Sequence, residues 1–108
     1  MGQVDAHTEK LLTKIRAVGN PPANQHTFPI HVRDFYLAYG MLPTSSQIVA
    51  FIFYRADKGG NPSRLDLNKW TRAVEECPKR IPHLKEVDAA IEFRKRQIVG
   101  KRATRRRL

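Results

Sequence analysis

"LPTSSQIVAFIFYRAD", residues 42–57, decides the fold class. Ile48 to Tyr54 is an unbroken apolar and aromatic run, which suits a buried strand or a helix buried on most sides. Thr44 and Gln47 separate the two readings. Their spacing is that of a capping box, in which the Thr44 hydroxyl accepts from the Gln47 N–H and the Gln47 side chain accepts from the Thr44 N–H. Pro43 and Ile48 hold the N′ and N4 places of a hydrophobic staple. No second run offers a partner strand. The stretch reads as a helix, and the chain as all-α.

Working outward, "DAHTEKLLTKIRAV" (5–18) repeats Leu11, Leu12, Ile15 and Val18 at helical spacing, with Glu9, Lys10, Lys14 and Arg16 on the opposite side. Asp5 is placed to cap this helix and Gly19 to end it. "NPPANQHTFP" (20–29) carries three prolines and reads as a loop. "IHVRDFYLAYG" (30–40) is a second helix, with Val32, Phe35, Tyr36 and Tyr39 as its core face and the tyrosine hydroxyls reaching the surface. Gly59-Gly60 breaks the chain after the central helix. "NPSRLDLNKWTRAVEEC" (61–77) follows, with Asn61 as a cap, Pro62 at the first helical position and Leu67, Trp70, Val74 and Cys77 inward. Ser63 and Asp66 repeat a capping spacing inside it. Pro78 ends that helix.

A last helix is expected from about Pro82 through "HLKEVDAAIEFRKRQIV", with Leu84, Val87, Ala90 or Ile91, and Ile98 inward. Gly100 marks its expected exit into a tail. The result is a compact bundle of about five helices, orthogonal or helix-turn-helix-like. It forms one domain over 1–99, with a basic arm over 100–108.

The net charge of +10 is concentrated at one end. From Arg94 onward there are eight basic residues (Arg94, Lys95, Arg96, Lys101, Arg102, Arg105, Arg106, Arg107) and no acidic one. The preceding 93 residues hold twelve basic and ten acidic side chains, a near balance. An unopposed positive run of this kind matches a polyanion, and phosphate backbone is the first candidate. An anionic membrane or an acidic protein fits the charge less well.

Catalytic and metal chemistry find no support. Ser45, Ser46 and Ser63 have no His-Asp set in recognisable order and are read as capping residues. Cys77, the single cysteine, lies on an apolar stripe and reads as a buried structural thiol. His26 and His31 lack partners at ligand spacing and read as surface histidines. Asp88 and Glu92 read as a solvated surface pair. "KGGNPS" lacks the spacing and terminal lysine of a P-loop. No enzyme, metal or cofactor is expected. One cysteine excludes an internal disulfide, and neither a membrane-spanning run nor a signal-peptide pattern is present. A cytoplasmic location follows, or a nuclear or virion one for a eukaryotic or viral source.

Gly40, Pro43, Thr44, Ile48, Gly59, Gly60, Ser63 and Trp70 together resemble the DNA-binding head of KfrA-type plasmid proteins, and more distantly LexA-like repressors. The resemblance covers residues 32–72. It implies a helix-turn-helix in which Asn61, Ser63, Arg64, Asn68 and Lys69 approach a nucleic-acid groove while Trp70 stays in the core. An interhelical turn within a small bundle fits the same residues. The function expected is a basic helical nucleic-acid-binding protein, a DNA-binding regulator with an Arg-rich arm. The alternative is a small helical subunit of a nucleoprotein assembly (a viral nucleocapsid, an RNA-guided effector complex or a ribosome-like particle) that binds phosphate without reading sequence. DNA and RNA both remain open as ligands. Self-association or docking on other subunits is expected with either.

Overall fold

A computed structural model describes residues 6–18, 26–77 and 84–107. These form five helices and no strand: α1 (Ala6–Val18), α2 (Phe28–Tyr39), α3 (Ser45–Lys58), α4 (Arg64–Glu75) and α5 (Leu84–Arg107). The all-α expectation holds. The Asp5 cap, the Gly19 terminus and the Pro78 stop lie outside the described residues.

α3 is the centre of the bundle. Ile48 to Phe53 are all buried, so every face of the helix meets protein. The capping box is made in full: the Thr44 hydroxyl accepts from the Gln47 N–H at 3.2 Å, and Gln47 Oε1 accepts from the Thr44 N–H at 2.9 Å. Two orphan donors at the helix start are thereby satisfied. Pro43 and Ile48 are both buried, as a staple requires.

The other helices lie around α3. α4 packs on α3 most extensively and also carries α1, while α5 lies on α2 and touches α3. Leu11 and Ile15 of α1, Val32 and Phe35 of α2, and Val87 and Ala90 of α5 close the core with the α3 and α4 residues. Phe35 and Phe51 meet edge to face at 5.4 Å, a favoured aromatic geometry.

Four local expectations are corrected. α2 starts at Phe28, two residues before Ile30, and Phe28 enters the core at 1% exposure. Pro29 permits this because a proline in the first turn forfeits only an N–H that has no helical partner. The Tyr39 hydroxyl does not reach out to solvent; it donates to the Pro62 carbonyl. The α4 cap is Ser63 rather than Asn61, because Ser63 Oγ accepts from the Asp66 N–H at 3.1 Å, and Pro62 falls before the helix. Finally, α5 does not end at Gly100 but continues to Arg107. One glycine costs a helix about 1 kcal/mol and does not by itself break it.

Candidate nucleic-acid interface

The turn between α3 and α4 is built to hold one geometry. Gly59 and Gly60 take φ of 76° and 67°, a left-handed region that side chains disfavour. The Tyr39 hydroxyl pins the turn from α2 through Pro62. Ser63 then caps α4, and its hydroxyl also donates to Asp66 Oδ2 at 2.9 Å. These bonds aim α4 with its Leu67, Trp70, Ala73 and Val74 face buried.

The outer face of α4 carries Arg64 and Asn68, one turn apart and both exposed. Asn61 and Ser63 are exposed just before it, and Lys69 is half-buried. The five residues named from the turn and α4 thus lie close along the chain, with Arg64 and Asn68 as the outward pair. The helix itself is nearly neutral: Arg64, Lys69 and Arg72 face Asp66 and Glu75. Leu65, between the outward residues, is 64% exposed.

The basic residues of α5 divide into two groups. Arg94 is half-buried: its guanidinium stands 5.7 Å from the Tyr36 ring centroid and donates to Gln97 Oε1 at 3.2 Å. Its Nε is buried with no hydrogen-bond partner. This arginine serves the α2–α5 contact as well as the charge. Lys95 and Arg96 are exposed. Beyond them the helical backbone carries Lys101, Arg102, Arg105, Arg106 and Arg107 in register with the first three. Positions 94, 101 and 105 fall on one line of the helix, and 95, 102 and 106 on the next. The first half of α5, with Glu86, Asp88 and Glu92, has the opposite bias, an arrangement the helix dipole favours.

Other polar residues have structural partners. The Ser45 hydroxyl does not cap α3 but donates to Asp88, tying α3 to α5, so Asp88 is more than solvated surface. His31 is half-buried and not an ordinary surface histidine. Arg55 Nη1 lies 3.4 Å from its Nδ1 and donates to Asp34 Oδ2 at 3.0 Å. Burial, and then the Arg55 charge, lower the His31 pKa, against an opposing pull from Asp34. Burial pushes the Asp34 carboxyl up, but the hydrogen bonds and charges of Arg55 and Arg33 outweigh it and hold it below the usual range. Cys77 is buried at 6% exposure. Among the described residues no cluster of His, Cys, Asp or Glu could hold a metal ion. No described helix is long and apolar enough to cross a membrane.

Lys10 and Lys14, expected only on the outer face of α1, are brought by the fold to one cleft with Lys58 between α1, α3 and α4. The i, i+4 spacing of Lys10 and Lys14 was the one local sign of it. Searches for relatives return nothing: no protein-family model, curated protein or solved structure matches the chain.

Proposed function

We propose that this is a nucleic-acid-binding protein in which the basic half of α5 grips phosphate and the outer face of α4 meets the groove. The observation that carries the proposal is the run of eight cations without one acid from Arg94 onward, on a helix whose first half is packed in the core. Cations on a pre-formed helix need less ordering on binding than cations on a flexible tail. In the DNA-binding form of this reading, α3, the Gly-Gly turn and α4 act as a helix-turn-helix-like unit. Arg64 then suits the guanine O6/N7 edge and Asn68 the adenine N6/N7 edge.

The second reading, an assembly subunit gripping backbone alone, is favoured by the near neutrality of α4 and the 14-residue length of α3. A helix-turn-helix with a five-residue connection, 59–63, is looser than the usual 3–4-residue turn.

The test is binding to a random duplex pool and a single-stranded RNA pool across a salt series. Replacing Lys101, Arg102, Arg105, Arg106 and Arg107 by glutamine should weaken binding to all sequences alike. If all five touch duplex phosphates, the slope of log K against log salt flattens by about 4.5. Unchanged affinity and slope would refute the role of α5. An enriched duplex motif that is relaxed at one base pair by Arg64→Ala supports the groove-reading form. Binding that tracks charge alone supports the assembly form.

A further inference from the structure

The cleft between α1, α3 and α4 has the make-up of a ligand site, and it lies apart from both surfaces discussed above. Lys10 and Lys14 enter it from α1, Tyr54 and Lys58 from α3, and Asp66 and Trp70 from α4. Its volume is about 300 Å³, at the small end of what holds a small-molecule ligand. On α4, Asp66 and Trp70 lie on the side opposite Arg64 and Asn68, so the cleft and the outward face do not overlap.

The charges around the cleft are unbalanced. Lys14 pairs with Asp57 at 3.2 Å, whereas Lys10 and Lys58 have no acidic partner among the described residues. Three ammonium groups thus surround a cleft whose lining holds one carboxylate, Asp66. Tyr54 and Trp70 meet edge to face at 5.8 Å beside these charges, and neither the Tyr54 hydroxyl nor the Trp70 indole N–H is sealed from solvent. The lining combines cations for an anion, aromatic edges for a flat ring, and a carboxylate able to accept from a ring amine or sugar hydroxyl.

We infer that this cleft binds a nucleoside phosphate, with Lys10 and Lys58 on the phosphate and Tyr54, Trp70 and Asp66 on the base and sugar. The source is either a free mononucleotide or the phosphorylated end of a strand. The site does not depend on the α5 arm.

Trp70 is the sole tryptophan and lines this cleft, so its fluorescence reports the seam that the cleft opens from. Titration of the full chain with adenosine monophosphate, adenosine, inorganic phosphate and a 5′-phosphorylated oligonucleotide tests the inference. The expected result is a saturable change with the monophosphate or the phosphorylated strand, and the tighter of the two, compared in a variant with Arg105, Arg106 and Arg107 replaced by glutamine so that the arm holds the strand less, names the source. Adenosine and inorganic phosphate should each bind about tenfold more weakly or worse, and so should the better ligand to Lys10→Gln/Lys58→Gln. Both lysines are exposed, so this variant should keep its helical circular dichroism. Replacing Arg105, Arg106 and Arg107 by glutamine should leave the adenosine monophosphate signal unchanged, although it weakens the arm's own hold on a strand. The inference is overturned by no saturable change, by inorganic phosphate or adenosine matching the monophosphate, or by full binding to the lysine variant. A monophosphate signal lost only in the arginine variant overturns it too, while leaving the phosphate-binding role of α5 standing.

Discussion

Trp70→Ala probes how far the bundle depends on the seam between α3, α4 and α1. Trp70 is 3% exposed and meets Tyr54 edge to face. Truncating a buried tryptophan to alanine costs about 3–5 kcal/mol, part transfer and part cavity. The seam itself selects within that range. Clefts of about 170 Å³ and 300 Å³ border Trp70, so space left by the indole can open to water instead of persisting as a sealed void. The expected loss is therefore at the lower end, about 3 kcal/mol. Against the 5–15 kcal/mol of a typical domain, that is roughly a fifth to three-fifths of total stability.

At about 4–8 °C per kcal/mol for a domain near this size, the melting temperature should fall by about 12–24 °C. The assay is thermal and urea unfolding followed by far-ultraviolet circular dichroism, which does not need the lost fluorophore. The urea midpoint should fall while the slope stays constant, since a seam residue alters stability without changing the surface exposed on unfolding. Trp70→Phe, which keeps a ring against Tyr54, should recover most of the loss. If Trp70→Ala melts within about 3 °C of the parent, Trp70 is not an anchor and the packing argument is wrong.

Thr44→Ala removes the acceptor for the Gln47 N–H and should cost about 1 kcal/mol in urea unfolding, with Thr44→Ser close to neutral. Gly100→Ala meets nothing within 4 Å of the added carbon, so it should strengthen the distal turns of α5 by about 0.8–1 kcal/mol, seen as slower amide exchange there. No change in exchange would mean that α5 does not run through position 100. Acidification should destabilise the fold in two stages. His31 and Asp34 both have folded pKa values below their ordinary 6.5 and 3.8, so their contributions are complete above those values. The His31 share is lost as pH falls from about 6.5 through its lowered pKa, and the Asp34 share below about 3.8. His31→Gln should flatten the first stage, and an imidazole resonance of His31 titrating at or above 6.5 would contradict the burial argument.

What could be read along the chain was local chemistry, and what could not was contact between distant helices. α3 was legible because Thr44, Gln47 and the apolar run that follows are neighbours in sequence. The start of α4 was misplaced because Asn61 and Ser63 are both good caps, and only the Ser63–Asp66 bonds decide between them. α5 was cut short at Gly100 because glycine usually marks helix ends, although the residues after it include good helix formers and no proline. The charge of Arg94 was plain, but its seat over Tyr36 depends on a helix 58 positions earlier. The lysine cleft was hidden for the same reason, apart from the Lys10–Lys14 spacing. Lys10 and Lys58 become neighbours only after α1 and α3 have packed against α4.

The same division explains why charge can collect at one end without unfolding the body. The buried residues of α3 carry no charge, and its Arg55 is matched by Asp34 from α2, so repulsion among the cations stays outside the core. In the distal half of α5, Lys101 and Arg105, and Arg102 and Arg106, stand one helical turn apart, and like charges at that spacing oppose the helix by a few tenths of a kcal/mol each. A phosphate backbone laid along those positions would replace repulsion with attraction. Binding and helix formation at this end are then coupled in sign: whatever neutralises the arm also strengthens the helix that presents it. The packed half of α5, held through Val87 and Ala90, gives that helix a fixed starting direction. A polyanion would therefore strengthen turns that already continue a packed helix, with no new nucleation step.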